Sequence, residues 1–439
     1  MHIKLNKNIS EVLSFSSIEK IAKNSGWLLM ERCTRLTLGL LVSTWIARYL
    51  GPDQYGVLSY VIAFIAFFQA ILPLGMDGII VRDISKNEKD SGAILGTIII
   101  TRFTLGLILW FAIIILTTII YSLKSEYTLL SAIIGASLIF QAADTIDLWF
   151  QSQSQSKRTV VAKLLAYISV NLLKIGMLIF KCPLYAFAIA TLLEFIFSSI
   201  GLIIAFTRFR PPVKLAFSSL IIKKFLGESW PFLISSIAII IYMRIDQMFI
   251  KYYLPLNDLG IYSAMLPLAT LWSFIPMTLS ISVSPFLTKA KMESEEKYQK
   301  ILCFTFKLFS MLGWLICIPV CVFSDYIVSL LYGPQYQTGA VVLSILIFTN
   351  LFIYQGVAQS LWIINERKGK LSLLKTILGA IVCIVANLIL IPKYGIIGAA
   401  ISAVLAQFTS AIMANIVMAP RILILQIQSL LFIPLRKVN

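Results

Sequence analysis

The chain has 439 residues, of which 59% are hydrophobic and 13% charged, with a formal net charge of +17. Soluble domains average about 45–50% apolar and about 25% charged residues, so this composition excludes an ordinary soluble fold and points to a bilayer as solvent. The six cysteines form no CxxC pair and the one histidine is His2, which argues against a disulfide framework and against a Cys/His metal site.

The N-terminal stretch "MHIKLNKNISEVLSFSSIEKIAKNSG" lacks the compact apolar core and small-residue cleavage site of a signal peptide. It predicts an amphipathic, cytoplasmic lead-in helix. A span needs about 20 largely apolar residues. Such runs occupy 25–48, 57–80, 93–121, 128–150, 162–180, 183–206, 225–252, 259–286, 301–331, 338–363, 372–391 and 395–418. The short turns "KCPLY" and "PKYG" separate the closest neighbours.

Lys and Arg test this division. With the N-terminus inside, one alternating set of loops holds most of the 37 basic residues, among them Lys157, Arg158, Lys163, Arg208, Lys214, Lys368 and Lys375. The opposite set holds Arg48, Lys124, Lys181, Lys251 and Lys393. One missed helix would scramble the alternation, so the bias predicts twelve spans with both termini cytoplasmic. It also accounts for the positive charge without a nucleic acid as partner.

The chain repeats itself. "YLGPDQYGVLS" (49–59) aligns with "YLPLNDLGIYS" (253–263) at an offset of 204, pairing Gly56 with Gly260. The offset sets span 1 on span 7. Six spans is an even number, so both halves enter from the same side, as in parallel-repeat transporters. The predicted architecture is an all-α integral membrane protein. An N-terminal lobe (1–207) joins a C-terminal lobe (225–439) through a basic cytoplasmic linker (208–224).

Several charges sit within spans, where each costs about 2.5–3.5 kcal/mol on insertion scales unless paired or wet. Span 1 carries Glu31, Arg32 and Arg35. Glu31 and Arg35 have the spacing and order of a helical ion pair, which leaves Arg32 without an in-helix partner. Either Glu31 neutralises Arg35 while Arg32 snorkels, or these guanidiniums face a cavity and bind an anion, for which their planar fork is suited. Arg102, Lys174 and Glu194 lie near mid-membrane, Asp77 and the pair Asp144/Asp147 nearer the cytoplasmic side, and Arg244 with Asp246 nearer the other side. Lys307 is close enough to an edge to snorkel. Each acid serves equally well as a packing pair or a coupling group. Together the charges point to a hydrated interior of cationic character. Pro267, Pro276 and Pro285 mark span 8 as bent. The sequence contains no nucleotide-binding, hydrolase or metal motif, and no cofactor is expected.

"WLLMERCTRLTLGLLVSTWIARYLGPDQYGVLSYVIAF", "LGMDGIIVRDISKN" and "QAADTIDLWFQSQSQSKRTVVAK" resemble bacterial O-antigen flippases. So, in the second half, do "RIDQMFI", "LGIYSAM" and "SPFLTKA". The resemblance covers nearly the whole chain and implies the polysaccharide transporter family of the multidrug/oligosaccharidyl-lipid/polysaccharide exporter superfamily. It implies two six-helix bundles around a central cavity. It further implies transfer of an undecaprenyl-diphosphate-linked repeat unit across the bacterial inner membrane by alternating access, with an H+ or Na+ gradient as driving force. The implied partners are membrane lipids, a polysaccharide polymerase and a chain-length regulator, and the family's cationic cavity maps onto Arg32, Arg35 and Arg244. Gln141, Asn171, Gln355, Gln359 and Asn365 would offer polar surface to the sugar. Two rivals stand beside this reading. A drug exporter of the same fold should have an acidic cavity, and a membrane polymerase or glycosyltransferase should have a large catalytic loop outside the membrane.

Overall fold

The computed structural model describes residues 15–87, 90–209, 214–366 and 368–433. The expected lead-in before Phe15 and the basic tail residues Arg436 and Lys437 lie outside them. Among the described residues all regular structure is helical, and nine helices are long and apolar enough to cross a bilayer. One of these, Gly369–Met418, bends at Gly395 (φ 59°). The first helix, α1 (Phe15–Gln69), bends at Gly51 (φ 72°). Taking each side of both bends separately gives the twelve helices read from the sequence. At the first bend the chemistry is plain: Gly51 adopts a left-handed φ at no steric cost, and Pro52 then lacks the N–H a continuing helix needs.

Two compact units emerge, residues 1–42 with 68–234, and 43–67 with 235–439. They do not follow the lobes expected at 1–207 and 225–439. Local contacts give the reason for the first difference. The Tyr336 hydroxyl donates to the Ala47 carbonyl at 2.7 Å and Gln335 Nε2 to the Arg48 carbonyl at 3.0 Å, which ties 43–67 to the second unit. Phe225 is buried in the core of the first unit, which draws the start of the long helix 219–253 there.

In the first unit, α1 gives way at Gln69 to a turn and then to α2 (Asp77–Lys86). The second span was expected to run to residue 80. Pro73 and Gly75 (φ 67°) stop it, and Gly75 is needed twice over, since a Cβ there would lie 2.6 Å from the Leu233 nitrogen. Next come α3 (Ser91–Tyr121), α4 (Glu126–Gly135) and α5 (Ser137–Phe140), then a 3₁₀ turn at Gln141–Ala143 and α6 (Asp144–Ser152). The unit continues with α7 (Ser156–Ile179), α8 (Leu184–Arg208) and the first half of α9 (Ser219–Tyr253). Ile80, Leu95, Trp149, Phe150, Leu202 and Phe206 close one end of the core.

The second unit holds the rest of α9, α10 (Leu256–Thr270), a 3₁₀ turn at Leu271–Ser273, α11 (Phe274–Glu293), α12 (Glu295–Val322) and α13 (Ser324–Tyr332). α14 (Gly339–Leu346), α15 (Thr349–Asn365), α16 (Gly369–Phe408), a π-helical turn at Thr409–Met413, α17 (Asn415–Met418) and α18 (Pro420–Leu430) complete it. The break at 271–273 follows from Pro276, which cannot donate to the carbonyl four residues back. That carbonyl, on Trp272, accepts instead from the Tyr354 hydroxyl at 2.8 Å.

A polar seam runs through this apolar unit. Lys375, read from the sequence as a loop cation, is 6% exposed and donates to Gln359 Oε1. Its burial between α15 and α16 removes it from the loop. Gln359 Nε2 donates to Asn415 Oδ1 at 2.6 Å, Asn415 Nδ2 to Gln426 Oε1 at 2.8 Å, and Gln426 Nε2 to the Ala411 carbonyl at 2.9 Å. No carboxylate among the described residues pairs with Lys375. The π turn presents the Ala411 carbonyl to two amides at once, Asn415 and Gln426.

Candidate functional site

The charged cluster of the first unit is assembled from α1, α6, α7 and α8. One turn apart on α1, Glu31 and Arg35 pair at 3.1 Å through Oε1 and Nε. Arg35 Nη1 reaches across to Glu194 Oε1 on α8 at 3.2 Å. The second oxygen of Glu194 faces Lys174 Nζ on α7 at 3.9 Å. Arg35 also lies over the Tyr167 ring, 4.6 Å from its centroid, while the Tyr167 hydroxyl donates to the Arg35 carbonyl at 3.0 Å. Gly39 makes that possible, because a Cβ there would sit 2.5 Å from the Tyr167 hydroxyl. The guanidinium is thus held on three sides, and its Nη2 donates to none of the described residues.

Beside this group Lys163 Nζ lies 3.3 Å from Asp144 and 2.7 Å from Asp147. Gln151 Nε2 donates to Asp147 at 3.1 Å. Glu31, Arg35, Gln141, Asp144, Lys163 and Glu194 share the wall of a cavity of about 240 Å³. Gln141 Nε2 is buried there without a partner.

The other expected site residues stand elsewhere. Arg102 is 4% exposed and staples the turn after α1 to α3 and α6, through Asp77, the Pro73 carbonyl (3.2 Å) and the Thr145 hydroxyl (3.4 Å). Neither Arg102 nor Asp77 is on the cavity wall. Arg32 is exposed and is also absent from that wall. In the second unit Asp246 is buried, accepts from the Tyr262 hydroxyl and from the Gln247 N–H (2.8 Å), and borders a largely apolar cavity of about 370 Å³. Arg244 is half-buried and does not line it.

The cluster differs from the cationic interior expected from mid-span charges. Arg35, Lys163 and Lys174 each have a carboxylate within 4 Å, and the four acids Glu31, Asp144, Asp147 and Glu194 outnumber the three cations. The acids are present because three cations in a bundle repel one another unless neutralised. Of the polar residues expected to face a sugar, only Gln141 lines the first cavity. Asn171 donates to the Tyr167 carbonyl and Asn365 to the Leu361 carbonyl. Gln359 belongs to the Lys375 seam, while Gln355 donates to the Ser310 hydroxyl. Lys163 and Tyr167 went unrecognised in the sequence. A signal was available: Lys163, Tyr167, Asn171 and Lys174 fall at helical spacing on one face of α7.

Comparison with known proteins adds four findings. Residues 21–290 match the family described as polysaccharide biosynthesis protein. Over 169 residues the chain is 25% identical to the capsular polysaccharide biosynthesis protein CapF of Staphylococcus aureus, covering 38% of this chain and 41% of that one. Among solved structures, an inward-facing multidrug resistance MATE family transporter of the MOP superfamily aligns with a TM-score of 0.71 at 17% identity, over 90% of this chain and 96% of the other. The lipid II flippase MurJ, in an inward closed conformation, aligns with a TM-score of 0.70 at 16% identity, over 94% and 91% of the two chains. At these identities the likeness is one of fold.

Proposed function

This chain belongs to the polysaccharide biosynthesis protein family, and from that premise we propose that it is a flippase for a polyprenyl-diphosphate-linked oligosaccharide. The substrate would be an undecaprenyl-diphosphate-linked O-antigen or related repeat unit, moved from the cytoplasmic to the outer leaflet of a bacterial inner membrane by alternating access. A proton or sodium gradient would drive it, with both termini cytoplasmic. A polymerase and a chain-length regulator would act on the product. The diphosphate is the part of such a lipid that hydrocarbon rejects most strongly.

One observation carries the reading. Arg35 stands on a cavity wall, oriented by Tyr167, with one end of its fork unused by the protein. A guanidinium so placed can donate to a phosphate oxygen through Nη2 as it stands, and through its full fork once Nη1 is released. Gln141, on the same wall, has an unpaired amide nitrogen.

Deletion of the gene should leave lipid-linked repeat units on the cytoplasmic leaflet and abolish the surface polymer. A plasmid copy should restore the polymer, Arg35→Lys in part and Arg35→Ala not at all. Normal polymer from an Arg35→Ala variant at normal expression would remove Arg35 from the site. A second reading, export of an amphipathic cation, draws on the MATE-like fold and on Asp246 beside the apolar cavity of the second unit. Efflux of a cationic dye abolished by Asp246→Asn would favour it.

A further inference from the structure

We propose that Lys174 is a positioning residue that receives Glu194 when the substrate's diphosphate takes Arg35. The proposal rests on the reading of Arg35 given above. In the structure the two oxygens of Glu194 face different cations: Oε1 accepts from Arg35 Nη1 at 3.2 Å, and Oε2 stands 3.9 Å from Lys174. The first contact is a hydrogen bond. The second is within ion-pair range but too long for one. Glu194 is therefore committed to Arg35 and only approached by Lys174.

Their placement differs as well. Arg35 and Glu194 are on the cavity wall and Lys174 is not. An anion entering the cavity meets Arg35, and to use the full guanidinium fork it must compete with Glu194. Expelling a carboxylate from its only cation inside a bundle is strongly unfavourable, since the charge is left without partner or water. Here a partner is waiting. Lys174 has no other acid among the described residues, and a charge-assisted hydrogen bond of about 2.7–2.9 Å requires the two groups to close by about 1 Å. Glu31 stays on the Nε side of Arg35 and need not move. In the exchange Arg35–Glu194 gives way to Arg35–diphosphate, and the long Lys174–Glu194 pair closes to a hydrogen-bonded one.

Lys174 thus lowers the cost of substrate entry without touching substrate. A direct phosphate ligand would lose affinity on mutation whatever stands at 194. A receiving partner matters only while residue 194 is charged.

The test uses the purified full-length protein in nanodiscs, with farnesyl diphosphate as probe and isothermal titration as readout. Wild type should bind and Arg35→Ala should bind at least tenfold more weakly. Lys174→Met should weaken binding about tenfold, equivalent to about 1.4 kcal/mol, and Lys174→Arg should restore it. Glu194→Gln should tighten binding. In that background Lys174→Met should have no further effect. Thermal unfolding establishes that each variant is folded, and Lys174→Gln replaces Lys174→Met if the latter is not. Wild-type affinity in Lys174→Met, or an equal loss from Lys174→Met in the Glu194→Gln background, overturns the proposal. No binding by wild type, or binding indifferent to Arg35→Ala, overturns the reading of Arg35 itself.

Discussion

Gly56 and Gly260 fit against each other's helix in a reciprocal way. A Cβ on Gly56 would lie 2.3 Å from the Leu256 carbonyl oxygen, and one on Gly260 would lie 1.8 Å from that of Pro52. Residues 52 and 56 stand to 256 and 260 at the same 204-residue offset that relates the two halves of the sequence. The repeat, faint as a string of identities, is therefore expressed as a symmetric contact between backbones, the close approach that small residues allow in membrane helices. Either alanine substitution, Gly56→Ala or Gly260→Ala, should force the helices apart and cost about 1–3 kcal/mol. The double variant should cost less than the sum, because the first methyl already opens the contact. Thermal unfolding in detergent measures both; additive losses would contradict a shared interface.

Gly39 and Tyr167 form a second dependent pair. Gly39→Ala drives a methyl against the Tyr167 hydroxyl, so it should displace the ring from Arg35 and reduce transport sharply. Tyr167→Phe removes the hydroxyl and keeps the ring, at a cost of about 1 kcal/mol for the lost hydrogen bond. The combination Gly39→Ala/Tyr167→Phe should recover most of the activity lost in Gly39→Ala. Surface-polymer complementation would check the order, and failure of the double variant to recover would mean the ring is not what Gly39 protects.

The Trp272 carbonyl predicts another rescue. Tyr354→Phe strands that acceptor and should destabilise by about 1–3 kcal/mol. Pro276→Ala supplies the N–H that the helix lacks. It should reduce the loss in the Tyr354→Phe background more than it changes wild type. Unfolding midpoints of the four proteins decide the matter.

Acid should act on the contact between α2 and α9. Asp83 is flanked by Arg82 (2.7 Å) and Lys224 (3.1 Å), and Arg82 continues to Glu228 (2.7 Å). Burial alone would raise the Asp83 carboxyl, but the hydrogen bonds and charges of Arg82 and Lys224 outweigh it and hold it below its ordinary value. With the folded value depressed, its stabilising contribution is complete above the unfolded value of about 3.9. It is lost as pH falls through the folded one. Asp83→Asn should unfold earlier than wild type at pH 6, and the gap should close on acidification below pH 4. A gap independent of pH would assign the effect to packing.

Much of this was legible in the chain. Apolar run length gives twelve helices, because the thickness of the hydrocarbon sets the length of a span. The Glu31–Arg35 pair follows from helical spacing. What escaped depended on tertiary placement. "ILPLGM" reads as continuing span, yet Pro73 and Gly75 end it where α9 comes close. Lys163 and Lys375 sit near span ends and were counted with the loops, since a tally of charge by position cannot see that their side chains turn inward. Nothing local links Arg35 to Glu194, 159 residues away. The acids that temper the site's charge are individually visible, but their pairing is a property of the bundle.

Lys375 has a consequence for how the protein is made. Its ammonium has no counter-charge among the described residues and donates to Gln359 of α15, which is held in turn by amides of α17 and α18. The last of these, Gln426, leaves the ribosome well after Lys375 does. Until α18 has been synthesised and has seated, the start of α16 has reason to linger at the aqueous rim or to carry water inward with it. A nascent chain stalled ahead of Pro420 would lack Gln426 and leave the seam one amide short.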